Sequence, residues 1–235
     1  MQSSNFKIKI YGDGFTLDQI NSGNYDFLDG YTFNPSLFKN NGVQDYLNHC
    51  KEIISIIKNK PVSLEVIADD EENMIRQAEI LGSLSENVYI KIPITFTSGE
   101  STLNVINYLK NNNFKVNVTA IFSNEQVSEI IPAINETTIL SIFAGRLYDI
   151  GIDATEEIKK INTTLQKNYL TPQLLWASPR MTFDIINAIN SNCQIITMTN
   201  NLIDKLKLHK FSKQEYSLET VKMFYNDATS SKYNF

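Results

Sequence analysis

The strongest constraint on the fold is an alternation that repeats eight times along the chain. Short runs rich in β-branched, leucine and aromatic residues are separated by longer stretches with amphipathic, helix-like spacing. The apolar runs cover residues 7–12, 27–32, 62–68, 88–95, 115–121, 138–143, 173–177 and 193–198. Because strands that alternate with helices form parallel sheets, the pattern predicts eight consecutive βα units.

Eight βα units in 235 residues, with no linker and no break in composition, predict one domain over residues 1–235. The number of units favours a (β/α)8 TIM barrel of the α/β class, and a doubly wound sheet is the alternative. We expect a loop around Gly145 and Arg146, and a helix opened by residues 98–101. A C-terminal helix is predicted over residues 217–224, followed by a tail that is frayed or docked on a neighbour.

The overall charge and the cysteines limit the class of protein. The net charge is −5, which predicts no electrostatic surface for nucleic acid or for an anionic membrane. No apolar run approaches the roughly 18 residues of a membrane span, and the N-terminus has no signal-peptide core. Cys50 and Cys193 have neither metal-ligand spacing nor a disulfide framework. We therefore expect buried thiols in a cytoplasmic protein.

The fourth apolar run contains a lysine in an unusual place. Residues 88–95 are typical of a strand buried on both faces, and Pro93 ends its hydrogen-bonding ladder, so Lys91 lies near the carboxyl end. Burial disfavours the charged form and lowers the pKa of a lysine, which is how a Schiff-base nucleophile is activated. The alternatives are a lysine whose amine extends to the rim, or one paired with an acid.

Polar residues also occur near the ends of the other strands, where barrel enzymes carry their active sites. They are Asp13, Asn34, Glu65, Asn117, Thr119, Ser141, Arg146, Ser178 and Arg180. Each has a structural alternative: a turn, a satisfied core polar group or a solvated surface charge. Glu65 needs a partner because it lies between Leu64 and Val66, and an ion pair with Lys91 would satisfy both residues.

Five short motifs in the same order resemble the transaldolase family, including its short members close to fructose-6-phosphate aldolase. Residues 30–36 (GYTFNPS) are similar to the family's G-x-T-T-N-P-S, and residues 88–93 (VYIKIP) to the strand that carries its Schiff-base lysine. Residues 117–119 match N-x-T, residues 143–146 match F-x-G-R, and residues 177–180 resemble A-S-F-[RK]. The likeness extends from about Tyr11 to Thr199.

Two positions indicate where in the family this chain lies. Members that act as aldolases resemble it but carry Gln and Tyr where Glu65 and Phe143 stand, whereas transaldolases carry Glu and Phe. The chain departs from the pattern at Phe33, at Pro179 and in the Gly-Asp-Gly turn of residues 12–14. The resemblance favours a transaldolase. A lyase that releases free dihydroxyacetone and a non-catalytic sugar-phosphate-binding barrel are the alternatives.

The resemblance implies a role for each candidate residue. Lys91 would form the Schiff base, Asp13 would act as general base, and Glu65 would move protons through a water near Thr119. The expected substrate-binding residues are Thr32, Asn34, Asn117, Thr119, Ser141, Phe143, Arg146, Ser178 and Arg180. Among these, the arginines and Ser178 would hold the phosphate.

The remaining expectations concern cofactors and partners. Neither a Walker A loop nor a G-x-G-x-x-G follows any strand, and His49 and His209 lie away from the strand ends. We therefore expect no cofactor and no metal, with sugar phosphates as substrates and neither nucleic acid nor membrane as a partner. The resemblance also implies a homo-oligomer, a pentamer or decamer, with the C-terminal helix packed on a neighbouring subunit.

Overall fold

Each apolar run forms a strand, and the computed structural model, which describes residues 6–231 and 233, closes these strands into a barrel. The strands are Lys9–Asp13 (β1), Gly30–Thr32 (β2), Val62–Glu65 (β3), Val88–Pro93 (β4), Val116–Ile121 (β5), Ile139–Ile142 (β6), Gln173–Trp176 (β7) and Ile195–Met198 (β8). All neighbours are parallel, and β1 pairs with β8 to close the ring. The predicted (β/α)8 barrel is therefore confirmed.

Helices surround the barrel and connect successive strands. They are Leu17–Asn21 (α1), Pro35–Asn40 (α2), Tyr46–Ile56 (α3), Glu71–Gly82 (α4), Leu103–Asn111 (α5), Asn124–Ile130 (α6), Ala144–Asp149 (α7), Ala154–Lys167 (α8), Asp184–Asn190 (α9), Asn200–Lys205 (α10) and Lys213–Ser230 (α11). No helix in the described part of the chain combines the length and apolar character needed to cross a membrane.

Many of these helices begin at a residue whose side chain caps the first turn. Thr16, Ser123 and Ser212 each form a reciprocal capping box with a Gln or Glu three residues later. Asp45 and Asp70 accept a hydrogen bond from a backbone amide of the first turn of α3 and α4. These capping side chains explain why the helices start at these residues.

The predicted loop around Gly145 and Arg146 is wrong, because these residues lie in α7. Ala144 and Leu147 are buried, and this burial favours a helical turn over an exposed loop. Gly145 is required by a close approach: a Cβ atom at this position would lie 1.6 Å from the carbonyl oxygen of Ser178. The packing of α7 on the segment after β7 was not visible in the local sequence.

Other helix boundaries also differ from the sequence-based ones. Residues 98–101 form a tight connection closed by a bridge between Thr95 and Ser101, and α5 starts only at Leu103. A short helix that the sequence pattern missed, α2, follows Asn34, whose side chain caps it. The C-terminal helix is longer than predicted, since α11 covers Lys213–Ser230; residues 232, 234 and 235 of the predicted tail lie outside the described residues.

The apolar core lies in two places. The larger part fills the space between the strands and the helices and includes Ile10, Leu64 and Ile90, all fully buried. The smaller part lies inside the barrel, where Tyr11 packs with Ile139, Leu175, Ala177 and Ile195. This interior cluster forms a floor, and the polar side chains described next lie on the strand ends above it.

Candidate active site

Strand register brings three polar residues into one row at the carboxyl end of the barrel. Glu65 of β3 pairs with Lys91 of β4, and Lys91 pairs with Asn117 of β5. Partners in a parallel register point to the same side of the sheet, so all three side chains face the barrel interior. The sequence suggested an ion pair of Glu65 with Lys91 as one alternative, and the register makes all three residues neighbours.

The amine of Lys91 contacts two polar groups inside the carboxyl end of the barrel. Its Nζ lies 2.9 Å from Oε2 of Glu65 and donates a 3.1 Å hydrogen bond to the carbonyl oxygen of Phe33. The lysine side chain is 6% exposed and the glutamate side chain 16%. The ion pair proposed above as the structural alternative is therefore present, and it places a proton acceptor in direct contact with the amine.

Asp13 belongs to a second polar group on the neighbouring strands. Its Oδ1 accepts a 2.7 Å hydrogen bond from the hydroxyl of Thr32, and Thr32 Oγ1 lies 2.5 Å from Thr197 Oγ1. Desolvation by the surrounding barrel raises the pKa of Asp13, while the ammonium of Lys91 and the Thr32 hydrogen bond act against this rise. The result is a carboxylate that accepts a proton more readily than an exposed aspartate.

Asn117 has a fixed orientation within a third hydrogen-bonded group. Its amide nitrogen donates to Ser63 Oγ at 3.0 Å, and its amide oxygen accepts from Ser141 Oγ at 2.7 Å. All three residues are at most 2% exposed. The second amide hydrogen of Asn117 has no acceptor within the described residues.

Thr119 is presented by an irregularity in β5. The register with β6 shifts between Val118 and Ile121, and Ala120 adopts a positive φ of 58°. Thr119 is 1% exposed, and its hydroxyl has no hydrogen-bond partner within residues 6–231 and 233. A buried hydroxyl without a partner marks a place where a water or a substrate group can bind.

A cavity of about 70 Å³ connects these groups. Its lining residues are Asp13, Thr32, Asn34, Lys91, Thr119, Ser141, Phe143, Arg146, Ala177, Ser178 and Thr197. Nine of the twelve residues predicted from the sequence therefore face one space. Glu65 and Asn117 lie directly behind this lining, in contact with Lys91 and Ser141 respectively.

The mouth of the cavity carries a positive charge. The guanidinium of Arg146 lies over the ring of Phe143, 5.5 Å from its centroid. Ser178 follows β7 with a positive φ of 57°, and its carbonyl faces Gly145 of α7. The cation and the hydroxyl thus lie on two adjoining segments and can bind an anionic group together.

Arg180 is the one predicted residue whose guanidinium is directed to other partners. It forms an ion pair with Asp149, and its Nε donates to the carbonyl oxygen of Gly145 at 3.4 Å. Its backbone amide donates to the buried Asp184 at 2.6 Å. The structure places Arg180 next to the cavity mouth but not in the lining, so its role in phosphate binding stays a prediction.

Two polar members of the site were missed by sequence reasoning. Thr197 lines the cavity, and Ser63 holds Asn117. Thr197 is a hydroxyl residue near the carboxyl end of β8, so the signal that identified Ser141 would also have found it. Ser63 lies near the start of β3, where that signal does not apply. The backbone carbonyl of Phe33, which accepts from Lys91, has no sequence signal because every residue carries such a group.

Comparison with known proteins identifies the family of this chain. The model of the Transaldolase/Fructose-6-phosphate aldolase family matches residues 10–234. The chain belongs to this family. A "Probable transaldolase" of Methanococcus vannielii is 35% identical over 206 residues, which cover 87% of this chain and 92% of that protein. The "Probable transaldolase" proteins of Thermoanaerobacter sp. and Thermoplasma acidophilum are 32% and 30% identical, over 86% of this chain and 90% and 89% of their own lengths.

Membership of the transaldolase/fructose-6-phosphate aldolase family confirms the resemblance drawn from the five motifs. The chain is an enzyme of this family, and the relatives cover nearly the whole barrel rather than one segment of it. Within the described residues, no group of three or more His, Cys, Asp or Glu side chains is placed to hold a metal ion. The polar groups of the site are instead an amine, carboxylates, hydroxyls, amides and a guanidinium.

Proposed function

We propose that this protein is a transaldolase that transfers a dihydroxyacetone unit through a Schiff base on Lys91. The donor would be a ketose phosphate such as fructose 6-phosphate or sedoheptulose 7-phosphate, and the acceptor an aldose phosphate. The observation that carries the proposal is the buried amine of Lys91, in direct contact with Glu65 and in the same cavity as Asp13. A lysine, a proton acceptor for it and a second carboxylate are the groups that imine-based carbon–carbon cleavage requires.

The first step is the attack of Lys91 on the donor carbonyl. The ammonium can pass its proton to Glu65 across their 2.9 Å contact, which leaves a neutral amine as nucleophile. The carbinolamine then loses water as Glu65 returns the proton to the leaving hydroxyl, either directly or through a water held by Thr119. The unpartnered hydroxyl of Thr119 supports a water at that position.

The second step breaks the bond between carbons 3 and 4 of the bound sugar. Asp13 takes the proton of the 4-hydroxyl, the electrons of the bond move into the iminium, and an aldose phosphate leaves. The raised pKa of Asp13 suits this role, because a base whose pKa is closer to the working pH receives a proton more readily. The three-carbon enamine on Lys91 then adds to the acceptor aldehyde, and hydrolysis releases the product.

The amide and hydroxyl groups of the cavity bind the sugar hydroxyls. Asn117 is held in one orientation by Ser63 and Ser141, so its free amide hydrogen points in a defined direction. The amide oxygen of Asn34 is occupied at the start of α2 by the backbone amide of Leu37, which leaves its amide hydrogens for the substrate. Fixed donors cost little reorganisation during the reaction.

The phosphate group of the substrate would bind at the cavity mouth. Arg146 and Ser178 line this region, and Arg180 lies beside it. Arginine offers paired donors that match phosphate oxygens. The phosphate would then lie at the open end of the cavity and the carbonyl at the closed end, next to Lys91.

The proposal is tested by borohydride reduction of the protein in the presence of fructose 6-phosphate, followed by peptide mass spectrometry. We expect a three-carbon adduct on Lys91. An absence of adducts with a whole panel of ketose phosphates would overturn the proposal. Product analysis with and without an aldose phosphate acceptor separates the two activities of the family: a transaldolase needs the acceptor, whereas a lyase releases free dihydroxyacetone without it.

We further propose that the protein is a homo-oligomer in which α11 packs on a second copy of the chain. This helix has 18 residues and none of its side chains is buried. Leu218, Val221, Phe224 and Tyr225 are each more than half exposed. Most of the stability of a helix in a protein comes from packing of its apolar face, so α11 needs a surface that covers these side chains. We place the protein in the cytoplasm, where its two buried, unpaired cysteines would stay reduced.

A further inference from the structure

The hydroxyl of Thr197 is part of a chain of three groups that ends at Asp13. Thr197 comes from β8, Thr32 from β2 and Asp13 from β1, so three adjacent strands contribute one residue each. Thr32 and Thr197 are 2% and 4% exposed. The hydroxyl contacts of 2.5 Å and 2.7 Å are too short to contain a water, and they form a continuous connection within the cavity.

The donor and acceptor in each of these two hydrogen bonds follow from counting the hydroxyl protons. An ionised carboxylate can only accept hydrogen bonds, so the single hydroxyl proton of Thr32 must lie in the contact with Asp13. The contact between the two threonine oxygens therefore has to use the proton of Thr197. Thr197 donates to Thr32, and Thr32 donates to Asp13. Hydrogen bonds in such a chain polarise and strengthen one another.

We propose that Thr197 is a positioning residue that acts through Thr32 to hold Oδ1 of Asp13, so that Oδ2 receives the substrate proton. Oδ2 has no hydrogen-bond partner in the part of the chain that is described. The two carboxylate oxygens of Asp13 thus have different roles. Oδ1 is held by the hydrogen bond from Thr32, and Oδ2 can accept the proton of the substrate 4-hydroxyl. The inference rests on the proposed function, because Asp13 is given its role as base there.

The charged groups that face Asp13 come from other strands and are not altered when Thr197 is changed. The ammonium of Lys91 and the carboxylate of Glu65 act on Asp13 electrostatically, and Arg146 lines the same cavity. None of them contacts Thr197 by a hydrogen bond. A change in the titration of Asp13 on replacing Thr197 with valine can therefore be assigned to the lost hydroxyl.

The first test measures the ionisation of Asp13 without relying on activity. The carboxylate band of Asp13 is followed with pH by infrared difference spectroscopy on protein labelled with carbon-13 aspartate, and Asp13→Asn identifies it. Thr197→Val should raise the titration midpoint of Asp13 by a few tenths of a pH unit. Without the Thr197 hydroxyl, the hydrogen bond from Thr32 that favours the ionised form of Asp13 is weaker. Thr197→Ser should keep the wild-type midpoint. An unchanged midpoint in Thr197→Val and in the second variant, Thr197→Ala, would overturn the inference.

A matched control separates this effect from general damage to a buried threonine. Thr138 is 3% exposed and its hydroxyl pairs with Asn135 at the opposite end of the barrel. Thr138→Val should change stability alone and leave the midpoint of Asp13 unaltered. If Thr138→Val shifts the titration midpoint of Asp13 by an equal amount, the midpoint reports loosened packing. That result would contradict the proposed role of Thr197.

The second test asks whether Thr197 acts through Thr32. In a double-mutant cycle on the rate of carbon–carbon cleavage, Thr197→Val should cost roughly fivefold by itself, the value of one hydrogen bond. In a protein that already carries Thr32→Val, Thr197→Val should not lower the rate further, because the hydrogen-bonded connection to Asp13 is already lost. If the losses of cleavage rate in the two single variants simply add in the double variant, Thr197 contacts the substrate directly. That result would overturn the proposal that Thr197 acts through Thr32. If the wild-type protein forms no adduct at all, the proposed function fails, while the infrared titration still decides the inference.

Discussion

Arg180 and Asp149 form an ion pair across two segments that border the cavity mouth. The guanidinium of Arg180 also donates to the carbonyl oxygen of Gly145, so it bridges the segment after β7 and helix α7. Both side chains are about half exposed, at 44% and 51%. A phosphate group arriving at the mouth would compete with Asp149 for the guanidinium.

The first prediction follows from this competition. Asp149→Asn should lower the KM for phosphorylated donors by up to about fivefold, because an exposed ion pair stabilises by roughly 0.2–1 kcal/mol. Arg180→Ala should raise the KM for phosphorylated donors far more than for unphosphorylated ones. Steady-state kinetics with both kinds of donor is the measurement. Equal effects of Arg180→Ala on the two donors would contradict a phosphate role for this residue.

The second prediction concerns Lys91. Lys91→Met keeps the length of the side chain but removes the nucleophile, so it should abolish both borohydride trapping and transfer activity. Circular dichroism should show that the barrel still forms. The exposed Lys58 provides the control, since Lys58→Met should react like the wild type. Transfer activity retained in Lys91→Met would rule out a Schiff base on this residue.

The third prediction uses the pKa of Asp13, which burial raises. Between the ordinary aspartate pKa of about 3.9 and the raised value, the folded protein binds more protons than the unfolded chain. The free energy of unfolding therefore falls as the pH rises through this window, and ionised Asp13 destabilises the protein at neutral pH. Asp13→Asn should raise the Tm at pH 7 more than at pH 4.

The same variant separates the two chemical steps. Asp13→Asn should still form the Lys91 adduct with intact donor but should cleave it roughly 100- to 10,000-fold more slowly, the usual contribution of a general base. Intact mass spectrometry then shows the full-length sugar on Lys91 after reduction. Asp227→Asn, on the exposed face of α11, is the control. Normal cleavage by Asp13→Asn would remove Asp13 from the mechanism.

The fourth prediction concerns α11. Sedimentation should show that the wild-type protein is an oligomer, and Val221→Lys with Phe224→Lys should produce smaller species, because charges cannot be buried at an apolar contact. Lys222→Glu, on the same helix, changes charge without changing an apolar side chain and serves as the control. A wild-type monomer, or a double variant of unchanged size, would contradict the proposed contact.

The sequence by itself determined the order and position of the eight strands and most of the candidate site. Strand runs such as residues 88–95 are apolar enough to require burial on both faces, and Lys91, Glu65 and Asn117 stood out because their chemistry does not suit such a strand. Motif order then identified the family before any contact was known. These features depend on local patterns, which the chain carries whatever its tertiary packing.

Only the tertiary structure decided which groups contact one another. The Lys91–Glu65 pair, the hydroxyl chain from Thr197 to Asp13 and the engagement of Arg180 by Asp149 join residues far apart in the sequence. Barrel closure places β8 beside β1, and this makes Thr197 a neighbour of Thr32 although 165 positions separate them. Helix α7 forms because packing buries Leu147 and brings Gly145 against Ser178. Such contacts depend on strand register and packing, which no local pattern encodes.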